Sequence, residues 1–171
     1  DRTNIFDEEQ ISYLYDSLSK TESNLSAGYR EIRDWDKAKY YQEQSILHAK
    51  LMKEGEDKIK SVFYALSKLA SLHNLIGKLP ETKAVREEAY IYVSEQYNPE
   101  HPLVLEAGGA LVHILNQTGD FYDAERFARI CYEGLTRAPS DPDSFEAAKA
   151  ARNLANASCN LICKNGPDSA D

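Results

Sequence analysis

Cys159 and Cys163 stand four residues apart, one helical turn, so two thiolates on one helix face could fill two positions of a tetrahedral metal site. No second pair of ligands follows at a matching spacing. The sequence therefore predicts no metal, and free thiols that pack as small apolar groups. The four histidines lie apart, at His48, His73, His101 and His113, with no HExxH pair, nucleophile elbow or glycine-rich phosphate loop beside them. Catalysis needs a convergent set of groups with matched proton affinities, and none is present in the pattern. No catalytic residue, no cofactor and no enzymatic activity are expected. The chemistry that remains is recognition: a face of asparagine amides can bond a peptide backbone, and lysine and arginine beside them can pair with a carboxylate.

Such a face needs helices to carry it. The 171 residues, 42% of them hydrophobic, suit one compact domain or a short array. The net charge of −8 opposes an extended contact with nucleic acid or an anionic membrane, which needs clustered Lys and Arg. No nucleic acid and no membrane partner are expected. The three cysteines, Cys131, Cys159 and Cys163, form an odd set without framework spacing, which points to a reducing, cytoplasmic setting. The chain begins at Asp1 without Met, so a fragment of a longer protein is expected.

Helical periodicity runs through nearly the whole sequence, as in Ile11, Leu14, Leu18, Leu25 and Ile32. Two stretches, 65–89 and 107–131, also echo each other. Ala65 falls on Ala107, Leu69 on Leu111, Leu72 on Ile114, Gly77 on Gly119 and Leu79 on Phe121, an offset of 42 residues throughout. A period of that size marks stacked supersecondary units, each unable to bury its apolar face alone. Asp7 is expected to start the first helix, Gly77 and Gly119 to stop others in the left-handed conformation, and Pro80 to sit in a first turn. The expected organisation is a single domain over 1–171, with hairpins at about 7–53, 58–96 and 101–137 and an unpaired or capping helix at 143–164. The fold class is thus all-α, a right-handed α-solenoid of antiparallel hairpins with about seven helices.

Segments such as ALSKLASLHNLIGKLPETKA and NPEHPLVLEAGGALVHILNQTGDFYDAE resemble the tetratricopeptide repeat (TPR) family, in the 42-residue variety of kinesin light chains. The resemblance covers about residues 34–160. It implies close helix packing at Ala70, Val112, Ala155, Ala38, Thr82 and Ala124, with Leu69, Leu111, Leu154, Trp35, Leu79 and Phe121 as bulky partners. The positions matching the asparagine ladder of kinesin light chains are Lys68, Ala110 and Asn153, so one asparagine is retained.

In this family the first helix of each pair lines a concave groove. The resemblance places Tyr64, Ser67, Lys68, Ser71 and Asn74 there from one unit, and His113, Asn116 and Gln117 from the next. Lys149, Arg152, Asn153, Asn156 and Asn160 follow. The expected function is a non-enzymatic scaffold that binds a protein or peptide segment. The alternative is a spacer or self-association segment, for which the tyrosine-rich outer helices supply candidate contacts. The oligomeric state stays open.

Overall fold

A computed structural model describes residues 6–137 and 145–164, the side chains of 145–148 excepted. The described residues form seven α-helices and no strand: α1 Glu8–Glu31, α2 Trp35–Lys50, α3 Glu56–Leu75, α4 Leu79–Ser94, α5 Pro102–Thr118, α6 Phe121–Arg137 and α7 Phe145–Lys164. The expected start of the last helix at Asp143 and the turn Pro139 to Pro142 lie outside the described residues. The chain divides into two compact units, one ending at Val85 and the other beginning at Arg86, within α4.

Helix boundaries follow local chemistry. Asp7 caps α1 through a capping box: its carboxylate accepts from the Gln10 amide at 2.8 Å while the Gln10 side chain accepts from the Asp7 amide at 3.1 Å. Asp34 caps α2 by accepting from the Lys37 amide. Gly77 and Gly119 end α3 and α5 with φ of 76° and 80°, in the left-handed region that a Cβ disfavours. Arg33 does the same work after α1, at φ 61°, without glycine's freedom. Pro80 and Pro102 sit in first turns, where a missing amide leaves no helical bond unmade.

In the first unit α1 and α2 meet through small polar groups. Ser19, Ser23 and Ser26 are the buried residues of α1. The Ser19 hydroxyl lies 2.9 Å from the Ser45 carbonyl, and the Ser45 hydroxyl 2.8 Å from the Ser19 carbonyl. Ser26 donates to the Ala38 carbonyl at 2.7 Å. Small side chains let the two backbones approach, and their hydroxyls stay satisfied once dry. The apolar residues whose spacing announces α1, from Ile11 to Ile32, are instead among the exposed ones. The core of the unit lies on α3, where Val62, Phe63, Leu66, Leu69, Ala70 and Leu72 are buried. Each large side chain so buried contributes about 1.5–3 kcal/mol. Gln42 is buried as well, and its amide donates to the Ala65 carbonyl at 3.0 Å.

In the second unit α5 buries Leu103, Val104, Ala107, Leu111, Val112, Ile114 and Leu115, and α6 answers with the small residues Ala124, Ala128, Cys131 and Gly134. A Cβ built on Gly108 would come 2.5 Å from the Cys131 sulfur, so the helices touch at van der Waals limits. Ala38, Ala70, Thr82, Val112 and Ala124 are buried as the repeat pattern expects. Ala155 is a correction: it is exposed, and Ala150 and Ala157 take the packed positions of α7. These stand 42 residues after Gly108 and Leu115, both buried on α5, so the packed positions of α7 keep the offset of 42, whereas Ala155 stands 43 after Val112.

Candidate peptide-binding faces

The first unit presents one side of α3 to solvent. Tyr64, Lys68, Ser71 and Asn74 are exposed there, together with Leu75. Spacings of three and four residues set these groups in one stripe. Its neighbour is α1: the Lys68 ammonium donates to the Ser23 hydroxyl at 2.6 Å, and the Ser61 hydroxyl to Asp16 at 3.4 Å. Ser71 donates to the Ser67 carbonyl one turn back. Ser67 itself departs from the expected row, because its hydroxyl oxygen is buried and has no hydrogen-bond partner among the described residues.

In the second unit His113 and Gln117 are exposed on α5, and Lys149, Arg152 and Asn156 on α7. Asn116, Asn153 and Asn160 are half-buried between them. Asn160 donates its amide to the Asn116 carbonyl oxygen at 2.9 Å, and Asn116 donates onward to the Val112 carbonyl at 3.1 Å. That chain of amides fixes the spacing of α5 and α7 and holds a polar floor between exposed rows. Cys159 and Cys163 are exposed on the same side of α7. No group of three or more His, Cys, Asp or Glu able to hold a metal occurs among the described residues.

The other histidines are absorbed by packing. His48 meets Glu22 at 2.7 Å under the Tyr15 ring, linking α2 to α1. His101 caps α5, accepting from the Leu103 amide, with the Tyr97 ring stacked 3.7 Å away. His73 is buried on α3, its Nδ1 without a partner among the described residues. Burial holds its pKa below the ordinary 6.5, a backbone hydrogen bond at Glu81 opposing the shift. The folded state then binds fewer protons than the unfolded chain, so stability is complete above about pH 6.5 and falls as pH drops below it. Leucine, which stands at the equivalent Leu115, is expected in the variant His73→Leu to raise stability by about 1 kcal/mol at pH 5 and to flatten its dependence between pH 7 and 5. Urea denaturation at both pH values measures this. Cys131 is likewise packed, and burial pushes its thiol up to about 11, out of the range of a reactive thiolate.

No protein-family model matches the sequence, and no curated protein matches it. Solved structures do. BtubC (BKLC) from P. vanneervenii superposes with a TM-score of 0.73 at 19% identity, over 91% of this chain and 61% of that one. A Podosopora anserina protein described as a kinesin light chain with nearly identical TPR-like repeats superposes with a TM-score of 0.68 at 17% identity, over 90% of this chain and 69% of that one. A single-substitution form of that protein gives 0.69 at 17% identity, over 90% and 68%. The fold is therefore an all-α solenoid of TPR-like repeats, the kind found in kinesin light chains. This chain spans 61% of the length of the first of these relatives in structure.

Proposed function

We propose that the chain is a non-enzymatic protein-interaction scaffold that holds an extended peptide along the exposed faces of its first helices, with the α5 and α7 face as the principal strip. The observation that carries this is the Asn116 to Asn160 amide bond, flanked by exposed His113, Gln117, Lys149, Arg152 and Asn156. Asparagine and glutamine side chains each offer a donor and an acceptor, so a row of them pairs with peptide groups whatever the ligand's sequence. Lys149 and Arg152 add positive charge to a protein of net charge −8, and their preferred ligand group is a carboxylate, from an acidic side chain or a chain terminus. The α3 face, with Tyr64, Lys68, Ser71 and Asn74, is a second strip of the same kind. TPR-like repeats generally mediate protein interactions, and this reading gives that role a surface.

Selection from a displayed library of random peptides tests the reading. Peptides carrying Asp, Glu or a free terminal carboxylate are expected to be enriched, and the double variant Lys149→Glu, Arg152→Glu to bind them at least tenfold more weakly in calorimetry. Selected peptides that bind the double variant equally well overturn it.

A further inference from the structure

Gly109 sits in the interior of α5, where glycine is the least favourable residue after proline. Its neighbour Gly108 is fixed by contact, since a Cβ there would lie 2.5 Å from the Cys131 sulfur, whereas a Cβ on Gly109 would meet nothing within 4 Å. Nor does the repeat demand a glycine here. Ser67 and Ala151 stand 42 residues before and after it, at the equivalent positions of α3 and α7. The missing side chain therefore leaves room that the described residues do not use.

That room opens on the α5 and α7 face. His113 follows Gly109 by four residues and Asn116 by seven, so the three share one side of α5. The two helices run in the same direction, because Asn116 meets Asn160 at 2.9 Å and, farther along both, the Gly119 carbonyl meets the Lys164 ammonium at 3.4 Å. Two turns back from the Asn116 and Asn160 bond, about 10 Å, the same register sets Gly109 opposite Asn153. One rung is closed, amide to amide, and the other is open. Asn153 is half-buried without a hydrogen bond among the described residues, and it stands across from a residue that has no side chain to offer.

We infer that the open rung is the point of closest approach for a bound peptide, whose main chain passes over Gly109 while one residue exchanges two hydrogen bonds with the Asn153 amide. This rests on the reading of the α5 and α7 face as the peptide strip. The N–H and C=O of one extended residue point to the same side, and an asparagine amide carries the acceptor and the donor that match them. A side chain on α5 at this place holds the ligand's backbone off, and glycine lets it come close. Selectivity follows from the same geometry. A ligand residue without an N–H, proline or an N-methylated residue, is refused at this one position.

Calorimetry with a selected acidic peptide tests it. Gly109→Leu is expected to weaken binding at least tenfold while raising the melting midpoint by about 2–4 °C, because leucine favours a helix over glycine and occupies the ligand's space. Gly109→Ala, whose Cβ meets no atom within 4 Å, is expected to change both in the same directions, with binding about threefold weaker. N-methylation of the peptide at each residue in turn is expected to cost at least tenfold at one position, and to cost nothing there in Asn153→Ala, which already lacks the amide. Gly109 variants that bind as tightly as the parent, while Lys149→Glu, Arg152→Glu does not, overturn the inference and leave the peptide strip standing. Lower melting midpoints in both Gly109 variants overturn it as well, since the glycine then serves packing. A chain that selects no peptide overturns the strip and the inference together.

Discussion

Gly108→Ala is expected to destabilise the protein by about 2 kcal/mol, although alanine is the better helix former by about 1 kcal/mol. The added Cβ would lie 2.5 Å from the Cys131 sulfur and 3.5 Å from the Tyr90 ring. Cys131 is 6% exposed and held in α6, so its sulfur has little room to retreat. Either α5 moves away from α6 or Cys131 leaves its rotamer, and both strip contacts from Leu111, Ile114 and Leu115. The sign reverses when the obstacle is removed. In a Cys131→Ala background the same Gly108→Ala change is expected to stabilise by about 0.5–1 kcal/mol, since only the helix preference remains. Chemical denaturation of the four proteins in this cycle measures the coupling. A loss of equal size in both backgrounds contradicts the contact.

Ser45→Leu is expected to cost about 3 kcal/mol, and Ser45→Ala only about 1 kcal/mol. Ser45 is fully buried, and it trades hydrogen bonds with Ser19 across the α1 and α2 seam. Alanine removes one hydroxyl yet leaves the helix spacing intact. Leucine adds three carbons where backbones lie close enough for a serine hydroxyl to reach the facing carbonyl, so α1 must lift from α2. Melting midpoints of the two variants measure the difference. Equal losses contradict a close-packed serine seam.

Much of the architecture is legible because it is local. Gly77, Gly119, Pro80, Asp7 and the 42-residue echo each report a backbone requirement at its own position, and the helix boundaries follow them within a few residues. The rest depends on partners far along the chain. Ser19, Ser23 and Ser26 carry no sequence signal of burial, yet they are buried and their hydroxyls bond residues 12 to 45 positions away. The Ile11 to Ile32 stripe has the spacing of a core face, and the structure leaves it uncovered. Arg33 gives no sequence signal for the left-handed turn that glycine announces in the two later hairpins. In α7 the buried positions are Ala150 and Ala157, 42 residues after Gly108 and Leu115, and Ala155, 43 after Val112, is exposed. Of the residues proposed for recognition, the polar spacing is visible in the sequence, but the Asn116 to Asn160 bond is not, since α5 and α7 contribute one asparagine each.

The claim that the exposed first-helix faces bind a peptide is tested most directly by nuclear magnetic resonance titration of the nitrogen-labelled chain with a selected acidic peptide. Shift changes are expected to cluster at His113, Asn116, Gln117, Lys149, Arg152, Asn153, Asn156 and Asn160, and to be lost in the Lys149→Glu, Arg152→Glu variant. Changes confined to the outward side of α6, around Tyr122, Arg126 and Arg129, would contradict it.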